Sequence, residues 1–434
     1  MRRWCRAGLW ALAPRSFVSL PILLLAPVAG AQDLTSAIAD ALAHAPAIAE
    51  AHADETMAGA KLDAARAEGH PLVSVQGQVG AGRINNGGFF GFTAQNVTPL
   101  AVQAGAEMPV YAGGRVAAAI DQAHGGVDMA KLGLADARAR TIVSAVAAYA
   151  EVLTARRIED RFHQLVIELT EVERQAGLRF NVGEIPASEL ATATARRAEA
   201  DAGLAGAQGR RISAEAQFRR LTGHDAGALA PLPALPTTPP TLDEAVDSAH
   251  QANPALAQAE KGIDIARAGV RAAKAESLPT IGAFAEATRT RDQFFPGYQA
   301  DAFAVGIRGR WTIFAGGRTQ AKIQEADAAL DGSEARERDA RDQVDSAVIT
   351  AWSGLATAGR MVTASAARVT AADEALRSTR LEANVGAKPT LAVLDAEREA
   401  LTAQAAMIEA EGQRLIAAWQ LNALTGALTG AFSK

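Results

Sequence analysis

Cysteine and aromatic residues are both scarce in this chain. Among 434 residues there is one cysteine, Cys5, and aromatic residues make up 5% of the sequence. A mature chain that has lost Cys5 would have no disulfide, no reactive thiolate and no N-terminal cysteine to acylate, which excludes a lipoprotein anchor. Because much of the apolar content is alanine, the sequence favours long helices packed at short range over a thick globular core.

The first 31 residues are typical of a secretory signal. Four arginines, at positions 2, 3, 6 and 15, precede or flank a short apolar run at 20–26, and small residues follow at 29–31. We predict cleavage after Ala31; a permanent N-terminal membrane anchor is the alternative, but the apolar run is too short to span a bilayer. No later window of about eighteen residues is apolar enough for a membrane helix, so a mature chain that crosses a membrane must do so as strands of a closed barrel.

Charge and motif content exclude several function classes. Without the four arginines of the signal, 39 basic residues stand against 48 acidic ones, a formal charge of −9 that argues against nucleic-acid binding. The seven histidines never occur at the three- or four-residue spacing of metal pairs. The glycine pairs at 113–114 and 316–317 lack the lysine of a phosphate-binding loop. We therefore predict no catalytic residues, no bound metal and no cofactor.

The sequence contains an internal repeat. Tyr111-Ala-Gly-Gly-Arg115 matches Phe314-Ala-Gly-Gly-Arg318, and Leu221-Thr-Gly223 matches Leu424-Thr-Gly426, both at an offset of 203 residues. Pro46 and Pro71 match Pro254 and Pro279 at an offset of 208. The second copy is therefore five residues shorter, and the deletion falls between 279 and 314. We predict a first repeat at 32–223, a proline-rich linker at 224–240 and a second repeat at 241–434.

Each repeat has the same predicted order of helix, strand pair, very long helix, tight turn and helix. The first helices are predicted at about 34–68 and 242–276, where a proline follows each end. After each proline the apolar residues alternate, which indicates strands at about 72–84, 97–111, 280–291 and 300–313 with one apolar and one polar face. The glycine- and aromatic-rich segments 84–92 and 292–298 are predicted to be extracellular loops. Four such strands cannot close a membrane barrel alone, so several chains must pool them.

Helix lengths indicate an elongated molecule. A helix over 115–179 would be about 97 Å long, and helices over 34–68 and 187–222 placed end to end would span about 106 Å. Helices of this length predict a tube or a long coiled-coil bundle.

Taken together, these features resemble the TolC-type outer-membrane efflux family. The resemblance rests on the duplicated Tyr/Phe-Ala-Gly-Gly-Arg steps and on the segments Arg179-Phe-Asn-Val-Gly183 and Leu394-Asp-Ala396, and it covers the mature chain. It implies a mainly α-helical fold with a membrane β-barrel. Three chains, with four strands each, would close a twelve-stranded barrel continued by a periplasmic helical tube. It further implies localisation in the outer membrane of a Gram-negative cell.

The resemblance also implies partners and a function. Such proteins are homotrimeric exit ducts, embedded in outer-membrane lipid, of tripartite efflux or type I secretion systems. A periplasmic adaptor and an inner-membrane efflux pump or ABC transporter would recruit the trimer. The alternative function is a soluble periplasmic coiled-coil adaptor or scaffold, which would explain the helices but not two strand pairs with apolar faces.

Site residues are carried over from the family at three places. The barrel-to-helix transitions are Gly113, Gly114, Arg115, Gly316, Gly317 and Arg318. The turns expected to dock the adaptor are marked by Asn181, Val182, Gly183, Pro186, Asn384, Val385, Gly386 and Pro389. The expected channel gate comprises Lys388, Asp395, Ser188 and Glu189, with one acidic ring because Ala392 stands where the family's type member has a second. The other interpretation is that these are solvated charges near helix ends.

Overall fold

The computed structural model describes residues 31–85, 87 and 94–428. The predicted signal peptide, except for Ala31, lies outside the described residues, as do most of the predicted loop 84–92 and the last six residues of the second repeat. The described part has eight helices and six strands, in the same order in both repeats apart from one additional short strand pair in the first.

Proline divides the first helix of each repeat. We predicted single helices at 34–68 and 242–276, and this was wrong. The first repeat has α1 at Leu34–His44 and α2 at Pro46–Ala67, and the second has α5 at Leu242–Ala252 and α6 at Pro254–Ala275. Ala45 and Asn253 are extended, since the residue before a proline is disfavoured in the helical region. Pro46 and Pro254 then begin new helices, where their missing N–H groups are not needed.

The two long helices are α3 at Arg115–Asn181 and α7 at Arg318–Asn384, with 67 residues each. At 1.5 Å per residue each is about 100 Å long. In the first repeat α2 and then α4, at Ala187–Thr222, pack along α3; in the second, α6 and then α8, at Thr390–Leu424, pack along α7. Each long helix is therefore covered by two shorter ones placed one after the other.

Four strands form one antiparallel sheet. They are β1 at Leu72–Val79, β4 at Leu100–Tyr111, β5 at Thr280–Arg291 and β6 at Gln299–Arg310, in that spatial order. The remaining strands, β2 at Gly82–Ile84 and β3 at Gln95–Val97, pair only with each other. The segment that we predicted as one strand at 72–84 is thus divided, and the strand predicted at 300–313 ends at Arg310. Both outer edges of the sheet, β1 and β6, lack a strand partner within the described part of the chain.

The two faces of the sheet differ in polarity. Pairings such as Val75 with Ala104 and Ala287 with Phe303 place alternate apolar side chains on one face. Its large side chains are exposed to solvent in the single chain: Val73, Val75, Val79, Phe303, Val305 and Ile307. The opposite face carries Gln76, Gln103, Glu107, Glu286 and Arg308. This is the inverse of a soluble sheet, in which the apolar face is covered.

The largest apolar core lies beside the middle of α3. Tyr149 of α3 is fully buried there with Ile38 of α1 and Phe218 of α4. The Tyr149 hydroxyl lies 2.7 Å from the Ala230 carbonyl oxygen and 3.1 Å from that of Gln32. Burial raises the pKa of this phenol, mainly by desolvation. The linker and the residue that follows the predicted cleavage site are thereby fastened to the long helix.

Candidate functional site

The turns that join the long helices to the following helices form one end of the molecule. Gly183 and Gly386 have φ of +78° and +79°, which a residue with a side chain rarely adopts. Beside them Val182 and Val385 are 78% and 80% exposed. Proline then stands immediately before α4 and α8. The two turns therefore present matching apolar tips.

Each tip contains an ion pair between side chains at its two ends. Arg179 donates from Nε to Glu184 Oε1 at 3.0 Å in the first turn. Lys388 Nζ lies 2.9 Å from Glu382 Oε2 in the second. Both pairs are exposed, so each contributes little to stability.

The predicted gate residues lie close to these tips: Ser188 and Glu189 in the first turn of α4, Lys388 in the turn before α8, and Asp395 in the second turn of α8. Asp395 of α8 accepts a hydrogen bond of 3.0 Å from Arg196 Nη2 of α4, and Arg196 also pairs with Glu199 at 2.8 Å. Within one chain Lys388 therefore pairs with Glu382 and Asp395 pairs with Arg196. Ser188 is exposed and Glu189 half-buried at the start of α4. The structure brings Asp395 to the neighbouring helix pair but does not bring Lys388 to Asp395.

A second charged cluster, close to the predicted gate residues, was missed by the sequence reasoning. Arg380 of α7 donates to Glu168 of α3 at 2.5 Å and to Glu397 of α8 at 3.0 Å. The Glu397 side chain is only 4% exposed, and burial raises the pKa of its carboxyl group by desolvation, against the opposing effect of Arg380. One guanidinium thus joins three helices. The available signal was Glu397 itself, which interrupts the apolar series Leu394, Ala400 and Ala403 at helical spacing.

The transitions from strand to long helix contain the predicted glycine pairs. Gly113 and Gly316 both have φ of +60°, and Gly114 and Gly317 both have φ of +86°. Arg115 and Arg318 begin α3 and α7, and Arg115 Nη1 pairs with Glu68 Oε2 at 2.8 Å. A left-handed pair of residues turns the chain from the sheet into the helix, and glycine adopts this conformation without strain.

A concave groove runs between α3 and α7 above α8. It has a volume of about 790 Å³ and its lining includes Glu151, Thr154, Arg210, Thr357 and Gln413. Residues of α8 form part of the wall of the groove, and polar side chains lie along it.

Among residues 31–85, 87 and 94–428 there is no cluster of three or more His, Cys, Asp or Glu side chains that could hold a metal ion.

None of the helices within the same ranges is both long enough and apolar enough to span a membrane.

Comparison with known proteins decides the family. The sequence profile described as "Outer membrane efflux protein" matches residues 37–224 and 245–427, which is most of the chain and follows the two repeats. The chain belongs to the outer membrane efflux protein family. A curated relative, the outer membrane efflux protein BepC of Brucella suis, is 30% identical over 291 residues. That alignment covers 67% of this chain and 64% of the relative, so it spans a little under two thirds of the relative's length.

Solved structures share the fold at low sequence identity. A membrane protein from Pseudomonas aeruginosa has a TM-score of 0.78 at 21% identity, covering 91% of this chain and 93% of that one. The CmeC outer membrane channel of Campylobacter jejuni has a TM-score of 0.80 at 13% identity, covering 91% and 85%. The open MtrE outer membrane channel of Neisseria gonorrhoeae has a TM-score of 0.72 at 20% identity, covering 91% and 88%.

These comparisons confirm three predictions made from the sequence. The chain is of the TolC type, its fold is mainly α-helical with a part that belongs to a barrel, and it is an outer-membrane efflux protein that extends into the periplasm. The domain boundaries and the individual site residues stay predictions.

Proposed function

We propose that this protein is the passive outer-membrane exit duct of a tripartite efflux or type I secretion system. Three copies would pool their sheets into one twelve-stranded barrel, continued into the periplasm by the helices. The duct would carry substrate delivered by an inner-membrane pump, either an efflux transporter or an ABC transporter. No enzymatic step is assigned to this chain.

One observation carries the proposal: the four-stranded sheet has an exposed apolar face, a polar face and two open edges. In a barrel wall the apolar face would meet lipid and the polar face would line a wet lumen. The polar face contains interacting charges, with Arg308 3.6 Å from Glu286 and its guanidinium carbon 4.4 Å from the Phe284 ring centroid. Because unpaired strand edges are costly in lipid, the barrel must close through further copies.

A soluble periplasmic adaptor or scaffold is the competing function. Five large apolar side chains on one face of the sheet are exposed in the single chain: Val73, Val75, Phe303, Val305 and Ile307. A soluble protein would have to keep all of them in contact with water. An apolar patch of this kind indicates a lipid or protein contact. Detergent requirement separates the two functions, because a scaffold would be extracted in plain buffer and a barrel would not.

The adaptor would dock at the two exposed tips. Val182 and Val385 offer matching apolar contacts beside left-handed glycines, at the end farthest along the helices from the sheet. The φ values of +78° and +79° at Gly183 and Gly386, with φ of −94° and −96° at Val182 and Val385, give the two turns closely similar backbone shapes, so a single adaptor motif could bind either turn.

The gate would lie just inside these tips. Three copies of Asp395 around a threefold axis would form an acidic ring that favours cations. Arg196, 3.0 Å away, partly neutralises each carboxylate, so the ring is weaker than three free carboxylates would be. Ser188, Glu189 and Lys388 would line the same constriction.

Single-channel recording in planar bilayers tests both levels of this proposal. We expect the purified protein to form conducting pores that prefer cations, and Asp395→Lys to shift the reversal potential toward anion preference. Asp225→Lys in the linker makes the same charge change at an exposed site far from the tips, and it should leave selectivity unchanged. A protein without conductance would refute the duct, whereas conductance with unchanged selectivity in Asp395→Lys would remove Asp395 from the gate.

A further inference from the structure

The apolar face of the sheet becomes basic at the end farthest from the long helices. Along β5, the alternate residues on this face are Ile281, Ala283, Ala285, Ala287, Arg289 and Arg291. Arg289 lies 3.5 Å from Asp301, its strand partner, so its charge is partly neutralised. Arg291 is exposed and forms no ion pair with any residue that the structure describes. Cationic side chains thus follow directly on the apolar ones.

The first repeat has an arginine at the same point. The repeat offset of 208 relates Arg291 of β5 to Arg83 of β2. Arg83 lies opposite Asn96, and Arg291 lies opposite Gln299. Asn96 and Gln299 are related by the other offset, 203. Both hairpins therefore place an arginine opposite an amide residue near their tips.

Arg83 also lies on the apolar face. Val79 pairs with Leu100 and Arg83 pairs with Asn96, so the register of β1 continues unchanged through β2. Because alternate residues of a strand share a face, Arg83 lies on the same side as Val79. Like Arg291, Arg83 is exposed and has no ion pair within the described part of the chain.

The opposite face of the second hairpin is uncharged at this height. There β5 carries Thr288 and Thr290, and β6 carries Ala300 and Ala302. The polar face has its own arginines, of which Arg310 is one, at the other end of the sheet, next to the long helices. The positive charge near the hairpin tips is therefore directed away from the polar face.

Both arginines lie at the limit of the height that lipid would cover. Arg83 follows Val73 by ten residues, and Arg291 follows Ile281 by ten residues. At about 3.3 Å per residue and a tilt of about 45°, ten residues rise about 23 Å along the membrane normal. The apolar band of outer-membrane barrels is about 25 Å tall. The guanidinium groups would therefore lie where hydrocarbon gives way to headgroups.

We propose that Arg83 and Arg291 bind phosphate groups of the phosphorylated glycolipid in the outer leaflet of the outer membrane. The helices extend into the periplasm, so the hairpin tips face the outer leaflet. A guanidinium group suits phosphate because its planar donors reach two oxygens at once. Three pooled chains would present six such arginines around the barrel. The inference rests on the proposed barrel and adds a lipid class and the residues that bind it.

Native mass spectrometry of the detergent-purified, full-length protein with added lipid A, a bisphosphorylated glycolipid, tests this site. Arg83→Gln with Arg291→Gln should weaken lipid A binding at least about tenfold, because charge-assisted hydrogen bonds to phosphate are lost in both repeats. Arg310→Gln is the matched control. It removes an exposed arginine, also without an ion pair among the described residues, from the polar face, and lipid A should bind it as it binds the parent.

Further measurements identify the group that is bound. Lipid A from which both phosphates have been removed should bind the parent and the double glutamine variant equally. Arg83→Lys with Arg291→Lys keeps the charge but loses the two-pronged contact, so its affinity should lie between those two proteins. Inorganic phosphate at the same concentration as lipid A should not compete, because it has no acyl chains to pack on the apolar face.

The outcomes separate this inference from the proposed function. A trimer that conducts ions but binds lipid A equally well in the parent and the double glutamine variant would overturn the lipid site and leave the duct standing. Inorganic phosphate that competes as well as lipid A does would make this a site for free anions and overturn the lipid assignment. A parent protein that is monomeric in detergent and does not conduct would overturn both.

Discussion

At the scale of single residues, the ion pairs of this chain fall into two kinds. Many join exposed side chains one helical turn apart, as Arg377 and Glu374 do at 2.7 Å, and such pairs contribute less than about 1 kcal/mol each. The Arg380 cluster differs because Glu397 is buried and one of its oxygens, Oε2, has no hydrogen-bond partner. Removing the guanidinium would leave a buried charge uncompensated.

Arg380→Ala should therefore destabilise the protein near pH 7 by about 1 to 3 kcal/mol, the cost of an unpaired buried group. Glu397→Gln in the same chain should restore most of the loss, because a neutral amide does not require the guanidinium. Arg377→Ala, which breaks an exposed pair on the same helix, is the control and should have almost no effect. Thermal unfolding in detergent, followed by circular dichroism, measures all three.

The pH dependence of this loss follows from the raised pKa of Glu397. Its ordinary pKa is 4.5, and burial raises it in the folded chain. The neutral form is therefore favoured by folding, and this contribution is fully present below pH 4.5 and is lost as the pH rises through the folded pKa. The destabilisation caused by Arg380→Ala should shrink as the pH is lowered toward 4.5. A loss that is independent of pH would mean that Glu397 is not the group left unpaired.

At the scale of elements, proline and glycine made most boundaries predictable. The glycine pairs before Arg115 and Arg318 gave the starts of both long helices, and Pro186 and Pro389 gave the starts of α4 and α8. The breaks at Pro46 and Pro254 were missed because helical periodicity continues on both sides of each proline. The early end of β6 at Arg310 was not predictable, since the alternation continues past it and only the presence of a partner strand decides its length.

Asn253 allows the break between α5 and α6 to be tested. Its Oδ1 accepts hydrogen bonds from the backbone N–H groups of Ala255 and Leu256 at 2.9 and 3.3 Å, and its Nδ2 donates to the Leu424 carbonyl at 2.9 Å. Asn253→Ala should lower the stability by about 1 to 2 kcal/mol through the lost cap.

The matched variant Asn253→Ser keeps a capping oxygen but loses the contact with Leu424, so its thermal midpoint should lie between those of the parent and the alanine variant. A midpoint for Asn253→Ala equal to that of the parent would show that Pro254 alone sets the break.

At the scale of the whole molecule, a single chain leaves exposed the surfaces that a membrane or further copies would cover. Within the described residues its sheet has two open edges and an exposed apolar face. The repeat offsets made the architecture predictable from the sequence. The pairing of Asp395 with Arg196 was not, because Arg196 lies 199 residues away on another helix and no local pattern links the two.

Electron cryo-microscopy of the detergent-extracted, full-length protein would show whether several chains share one barrel. We expect a particle with one threefold axis, a single closed barrel of twelve strands, and helices extending about 100 Å from it. A particle that contains one chain, or several chains whose sheets remain separate with no common lumen, would contradict this expectation.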